Sequence, residues 1–268
     1  MINGHEISSR LQKKHLKLDY EVICKKSTGS TNVDAKKAAG QSNLLIVAEK
    51  QTAGKGRYGR SFYSESTGGL YFTVKICRDN INLNTGDITF IPLIAAVAVS
   101  QAVSSLCGVE LLIKWPNDLL YKSGSEHKKL CGILTEASVS AGSTEPESRS
   151  VSYFIAGIGL NVNNDITDFP GDIKNTASSL KIITGKQYDL ADILCETVDI
   201  FTRFLFAPRE ILLDEYKKRL LLGIDISFAQ NGSIIKGKTA GINQSGNLVV
   251  KLENGGETII RSGEINFI

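Results

Sequence analysis

The order of apolar and polar positions divides the chain into short strands and a few helices. Leu44-Leu45-Ile46-Val47-Ala48 is apolar at every place, which predicts a strand covered on both faces. Val22-Ile23-Cys24 reads as an earlier strand and Gly69 to Ile76 as the next one. Val109 to Trp115 predicts a strand ended by Pro116, and Leu119-Leu120-Tyr121 resumes it. Residues 122–128 form a charged hairpin turn, Lys129 to Val139 returns as a strand, 140–150 is a solvated loop, and Ser152 to Val162 is another strand. Helical spacing occurs in fewer places. Leu194, Val198, Phe201 and Leu205 make one apolar stripe over 189–206, with a second helix over about 209–221. A short helix is predicted over 5–17, with Ile7 and Leu11 inward and Arg10, Lys13, Lys14 and Lys17 toward water. The polar run Ser27 to Asn32 predicts a turn and then a helix over about 32–40, with Ser30, Thr31 or Asn32 as its N-cap.

After Gly223 the texture changes. Strand-like pieces at 226–229, 234–240, 247–252 and 257–261 alternate with turns, of which Asn231-Gly232 and Asn254-Gly255 carry hairpin signals. About 45 residues of this kind predict a small β-barrel, too small to stand alone and therefore docked on the larger unit. The expected organisation is α+β: a short N-terminal segment at 1–20, a main domain at 21–221 built on a sheet with antiparallel pairs, and a C-terminal barrel at 222–268.

Composition narrows the function classes. The 268 residues carry 31 basic and 28 acidic side chains, a formal charge of +3, which calls for no nucleic-acid partner. Cysteines 24, 77, 107, 131 and 195 are scattered without a C-x-x-C pair, the usage of reduced thiols in a cytoplasmic protein. His5, His15 and His127 lie far apart and do not suggest structural zinc. The opening residues show no secretory pattern. Residues 88–109 contain no charge, a length able to cross a bilayer. Pro92, Ser100, Gln101, Ser104 and Ser105 dilute that run, which predicts a buried helix over about 90–107 and no membrane span.

Three blocks carry candidate chemistry. Gly54-Lys55-Gly56-Arg57-Tyr58-Gly59-Arg60 threads three cations between three glycines, a loop suited to a polyanion or an acyl-phosphate-like intermediate. It lacks the spacing of a phosphate loop, and Arg60-Ser61-Phe62-Tyr63 does not open the helix that a dinucleotide motif needs. The plain alternative is a solvated basic turn. In Lys114-Trp115-Pro116-Asn117-Asp118, Asp118 follows a strand end; it suits a divalent cation or a ligand N–H, or the block is an Asx-turn with Trp115 in the core. Lys129 stands at the mouth of an apolar strand, either reaching toward a carboxylate or phosphate or simply solvated. Gly157 and Gly159 inside a strand indicate close approach of a ligand or of other protein atoms, or a β-bulge, and Asn161 and Asn163 flank them with amides able to read a base edge. No Ser-His-Asp set is visible. The blocks together point to electrostatic stabilisation of a carboxylate activated by a nucleotide.

In order and spacing, the 54–60 loop, Lys114 to Asp118 and Lys129-Leu130-Cys131-Gly132-Ile133-Leu134 resemble the signatures of biotin–protein ligases. Ser30-Thr31-Asn32, Gln51, the Gly157–Asn161 run and Gly263-Glu264-Ile265 fit the same family, and the resemblance runs from about residue 20 to the end. It implies a mixed sheet flanked by helices, related to lipoate ligases and class II aminoacyl-tRNA synthetases, followed by an SH3-like β-barrel. It implies an enzyme that makes biotinyl-5′-AMP from biotin and ATP with Mg²⁺, and then biotinylates a lysine of a carboxylase's carrier domain. Lipoate or another acyl group as substrate, and a non-catalytic biotin sensor, are the competing readings.

The resemblance also implies roles. Ser30, Thr31, Asn32, Gln51, Gly54, Lys55 and Gly132 correspond to the biotin side. Arg57, Tyr58, Gly59, Arg60, Phe62, Lys129 and Asn161 correspond to the nucleotide side. Lys129, Arg57 and Arg60 are the expected catalytic cations, and Asp118 is the candidate metal ligand. Lys55 stands where arginine is usual and Phe62 where tryptophan is usual. Some family members carry an N-terminal DNA-binding module; with about 20 residues ahead of the main domain, no sequence-specific DNA binding is expected. Relatives occur as monomers and as homodimers, and both states are open.

Overall fold

The computed structural model of the chain describes residues 3–78, 81, 87–139, 151–230 and 232–268. Seven strands form the main sheet: β1 (Glu21–Lys25), β2 (Leu44–Ala48), β3 (Gly69–Cys77), β4 (Leu112–Lys114), β5 (Asp118–Ser123), β6 (Glu126–Val139) and β7 (Val151–Asn161). Their order is β1-β2-β3-β7-β6-β5-β4. The β1–β2 pair is parallel and every other pair is antiparallel. The sheet is mixed, and the α+β reading of the main domain describes it.

The uniformly apolar β2 has two covered faces. Leu44 and Ile46 join Ala35 of helix α2 (Thr31–Lys37) and Ile155 of β7 in a small cluster. Leu45 and Val47 face the main core with helices α3 (Ile91–Cys107), α5 (Leu190–Leu205) and α6 (Arg209–Lys217). The uncharged run is the buried α3. By length and composition Ile88–Cys107 passes for a membrane span, yet most of it is buried inside the fold. Its polar members are satisfied there: Ser100 Oγ donates to Ala96 O at 2.8 Å, and Gln101 Nε2 donates to Glu215 of α6 at 2.9 Å. Gly108, at φ 66°, ends the helix in the left-handed conformation that glycine adopts without strain. The α5 stripe also faces inward, with Leu194, Val198 and Phe201 fully buried. A one-turn helix α4 (Leu180–Thr184) between β7 and α5 has no counterpart in the sequence pattern.

The N-terminal helix α1 (Gly4–Gln12) is shorter than the predicted 5–17 and is built into the core. Ile7 and Leu11 are buried between β1 and α5. Arg10 and Lys14, predicted to face water, instead reach α5 and its cap. Arg10 pairs with Glu6, Asp189 and Asp192, and Lys14 with Glu196 at 2.6 Å.

The C-terminal unit departs from the predicted SH3-like β-barrel. Strands β8 (Asp225–Gln230), β9 (Ser233–Ile242), β10 (Leu248–Leu252), β11 (Glu257–Ile260) and β12 (Asn266–Phe267) form an open sheet in the order β11-β10-β9-β8-β12. Closure needs the two ends of that order to pair, and β11 and β12 do not. The connection between them leaves the sheet: Ile265 is buried and Glu264 pairs with Arg60 at 2.7 Å. Only two residues, opposite Ser227 and Ile226, return to the ladder. The open sheet docks through Trp115, whose Nε1 donates to Gly246 O at 3.0 Å. Gly246 sits so close to Leu93 that a Cβ there would lie 2.8 Å from its Cδ2. Asn254-Gly255 makes the expected turn, with Gly255 at φ 84°. The predicted loop at 140–150 and Asn231 of the other hairpin signal lie outside the described residues.

Since Ile7 is fully buried, Ile7→Ala is expected to lower the unfolding free energy by about 2–5 kcal/mol. Urea melts of the two proteins measure it. A loss below about 0.5 kcal/mol, the range of surface substitutions, would show that α1 does not pack on α5 in solution.

Candidate active site

One rung of the main sheet runs Asp118, Gly132, Gly159, Tyr71, Ala48 across five strands. The neighbouring rung on the same face contains Leu134, Gly157 and Thr73. Three side chains are thus missing from the middle of the sheet. The reason is close approach, since β7 keeps regular register through both rungs and is not bulged there. A Cβ on Gly159 would lie 2.4 Å from the Phe62 ring, and one on Gly132 would lie 3.0 Å from it. On Gly157 it would lie 1.9 Å from Asn32 Oδ1. Above this glycine floor is a cleft of about 900 Å³, counting its solvent-open part.

One end of the cleft is polar and uncharged. Thr31 presents its N–H and its hydroxyl to Gln51 Oε1, at 2.8 and 3.1 Å, and Gln51 Nε2 donates to Ser64 Oγ at 3.2 Å. Thr73 Oγ1 lies 2.8 Å from Thr31 Oγ1 and 2.7 Å from Asn32 Oδ1. Asn32 Nδ2 reaches Leu134 O and Glu136 Oε1, both at 3.2 Å. These buried amides and hydroxyls hold one another in fixed orientation. Ser30 is the N-cap of α2, but its side chain makes no capping hydrogen bond. Its hydroxyl is left to the cleft that Ser30 lines.

The other end is cationic. Lys129 Nζ pairs with Asp118 Oδ1 at 2.8 Å, and Arg57 Nη1 donates to Asn117 Oδ1 at 3.1 Å. Arg60 pairs with Glu264 from the connection between β11 and β12. Lys114 lies 4.5 Å from the centre of the Phe267 ring. Burial holds the Lys114 amine below its ordinary pKa; Lys129 and Arg60 add to the depression while Asp118 and Glu264 oppose it. A β-bulge aims Lys129. Leu119 pairs with Cys131 but Leu120 pairs with Lys129, so Leu130 is the extra residue. Without it Lys129 would share the core-facing side of Cys131; with it the side chain crosses Gly132, whose missing Cβ would be 3.4 Å from Lys129 Cε.

The 54–60 loop is a small hairpin over this end. Phe62 N donates to Gly54 O at 2.9 Å, and Gly56 N to Arg60 O at 2.8 Å. Its tip is Tyr58, at φ 54° and 65% exposed. Phe62 lies beneath the loop on the glycine floor, 6.0 Å from Lys129 Nζ.

Among the expected site residues, Ser30, Thr31, Asn32, Gln51, Lys55, Arg57, Arg60, Phe62, Asp118, Lys129 and Gly132 all line the one cleft. Gly54, Tyr58, Gly59 and Asn161 do not line it. Gly54 is at the loop's base, where a Cβ would meet Phe62 O and Ser64 Oγ at 2.4 Å. Asn161 is buried and donates to Ser178 O at 3.0 Å. Lys114, Asn117, Gly157, Gly159 and Glu264, which are not among the expected site residues, also line the cleft. The first four lay in blocks already marked by sequence; Glu264 carried no signal beyond its terminal Gly-Glu-Ile setting.

Residues 21–145 match the family model described as biotin/lipoate A/B protein ligase family. Over 219 residues the chain is 34% identical to the bifunctional ligase/repressor BirA of Bacillus subtilis, covering 79% of this chain and 62% of that protein. Its similarity is to the biotin/lipoate protein ligase family. It is 32% identical over 160 residues to the biotin–[acetyl-CoA-carboxylase] ligase of Mycobacterium tuberculosis, covering 57% of this chain and 52% of that one. The matches span about half to three-fifths of the length of these curated relatives. Among solved structures, the family's biotin protein ligase from Aquifex aeolicus, in complex with biotin and ATP, superposes with a TM-score of 0.74 at 28% identity. That match covers 92% of this chain and 98% of the other.

Gly157→Ala tests the floor. The added methyl must expel Asn32 from its bonds to Thr73, Leu134 and Glu136. Overpacking of this kind is expected to cost about 1–3 kcal/mol, read as a lower midpoint in chemical denaturation. An unchanged midpoint would mean that Asn32 does not occupy this place.

Proposed function

We propose that the chain is an ATP-dependent biotin–protein ligase. In this reading it joins the biotin carboxylate to the α-phosphate of ATP, releasing pyrophosphate, and then passes the biotinyl group to a lysine of a carboxylase's biotin carrier domain. One observation carries the proposal: a rigid polar end and a cationic end share one cleft, separated by a floor of three glycines. The Aquifex aeolicus structure with biotin and ATP supports both ligands for a cleft of this fold.

Each end has a task. The bicyclic head of biotin presents urea N–H and C=O groups, which match the hydroxyls and amides of Ser30, Thr31, Asn32 and Gln51. The acyl chain runs between the two ends beside Phe62, whose ring packs directly on Gly132 and Gly159. Carboxylate attack on the α-phosphate brings two anions together, and Lys129, Arg57 and Arg60 compensate that charge where it concentrates. Lys129 and Arg60 are held ready by Asp118 and Glu264, so phosphate replaces a carboxylate already present and no side chain must be recruited from solvent. The 54–60 hairpin closes over the mixed anhydride and keeps water from it. In transfer, the acceptor amine nitrogen bonds to the acyl carbon, the acyl–phosphate bond breaks with its electron pair leaving on AMP, and the amine gives up a proton. Lys55 contributes a compact charge without a planar fork, which holds an adenylate less firmly than arginine.

Among the described residues no three His, Cys, Asp or Glu side chains form a metal cage. For Mg²⁺, Asp118 would be the protein's carboxylate ligand. The ion supplies charge neutralisation on the triphosphate.

Lys129→Ala is expected to slow biotin-dependent pyrophosphate release by about 100-fold or more, with the melting temperature close to the parent's. A rate within threefold of the parent would remove Lys129 from the mechanism. Arg57→Ala should raise the off-rate of biotinyl-AMP by about tenfold through loss of a charge-assisted bond, measured by release of the labelled adenylate. Incubation with ATP, a carrier domain and either biotin or lipoate decides the acyl group; transfer of lipoate alone would overturn the biotin assignment.

A further inference from the structure

Helix α2 carries Thr31 and Asn32 into the polar end of the cleft, yet it is seven residues long and its one buried apolar side chain is Ala35. So short a helix is not stable by itself, and contacts with the sheet set its place. β3 makes several of them from one face. At the first turn, Thr73 Oγ1 meets Thr31 Oγ1 at 2.8 Å and Asn32 Oδ1 at 2.7 Å. Two residues along β3, Lys75 Nζ donates to the carbonyl of Ala38, the C-cap, at 2.8 Å. Lys75 is 2% exposed. It shares its rung with Leu44 and Ile155, both members of the apolar cluster under α2. Its ammonium lies 4.6 Å from the centre of the Tyr153 ring, and no carboxylate among the described residues pairs with it. A charge is costly to bury in such a place, where an apolar side chain would pack without that cost. What the amine adds is its bond to the carbonyl end of α2, the end of a helix that favours a cation.

We propose that Lys75 is a positioning residue for the polar end of the cleft, acting through α2. Thr73 holds the first turn and Lys75 holds the last carbonyl, so β3 fixes both ends of the helix. With both ends held, α2 does not tilt about the Thr73 contact. The Thr31 N–H then stays aimed at Gln51 Oε1, 2.8 Å away. The other charged ties of α2, Lys25 with Asp34 and Lys36 with Glu136, are partly solvated and hold it less firmly. The Lys75 amine is about 10 Å along the helix from Thr31 and Asn32, so its effect on a ligand passes through α2.

The proposal rests on the ligase reading for its kinetic arm only. Lys75→Met keeps the apolar stem and removes the charge and the donor. In biotin-dependent pyrophosphate release the KM for biotin is expected to rise about tenfold, the scale of one lost buried hydrogen bond from a charged group. The kcat and the KM for ATP should stay within about threefold of the parent's. A KM shift shared by both substrates, or a lower kcat with the KM for biotin unchanged, would overturn the proposal, because either marks a general loosening of the fold. Tyr153→Leu removes only the ring beside the amine and is the test if the first variant does not fold. It should raise the KM for biotin about threefold, and an unchanged value there would count against the role. The structural arm needs no ligand. In Lys75→Met the Thr31 amide should exchange its hydrogen about fivefold faster or more, with the amides of β3 and β7 as in the parent. Exchange at Thr31 equal to the parent's, or a rise spread over the whole sheet, sinks the positioning role. If the parent protein releases no pyrophosphate with biotin, the ligase reading fails and the exchange at Thr31 alone decides what Lys75 does.

Discussion

Gly132, Gly157 and Gly159 stand on one face in the middle of the main sheet, and the rest of the site depends on the space they leave. A central strand normally gains from large β-branched side chains, and glycine there weakens it. The sheet accepts that loss because Asn32 and Phe62 move into the vacated volume. Its other face is closed by the continuous apolar packing of α3 and α5. Stability on one side permits a depression on the other, which Asn32 and Phe62 occupy.

The cations around that depression are held in advance. Asp118 holds Lys129, Asn117 holds Arg57 and Glu264 holds Arg60. These partners come from β5, the turn before it, and the connection between β11 and β12. The site is therefore a junction of elements distant in sequence. It also ties the open C-terminal sheet to function: the chain between β11 and β12 goes to the cleft instead of closing a barrel. A short barrel would have satisfied its own edges; here part of that backbone serves the site.

Conformation in the loop follows a similar economy. The 54–60 hairpin is pinned at its base by Gly54, whose lack of Cβ lets the returning strand pass, while Tyr58 at the tip is exposed and left-handed. A pinned base with a free tip suits a cover that closes without disturbing the floor beneath it.

Several features were legible in the residues because they depend on neighbours along the chain. All-apolar β2, the α5 stripe, the uncharged α3 and the glycine-cation loop each declare themselves within a dozen residues. The ordered motifs were enough to place most of the cleft lining. Other features depend on atoms brought from far away. That Arg10 and Lys14 clamp α1 to α5, that Glu264 meets Arg60, and that Asn161 donates to Ser178 are pairings across large sequence separations. Sequence proximity carries no information about them. Barrel or open sheet is a question of the same sort: hairpin periodicity specifies which strands pair in succession, whereas closure depends on where the last few residues find better partners. Local pattern set the elements and the types of chemistry; only the folded chain decided which charge meets which, because Coulombic and hydrogen-bond partners are chosen by distance in space.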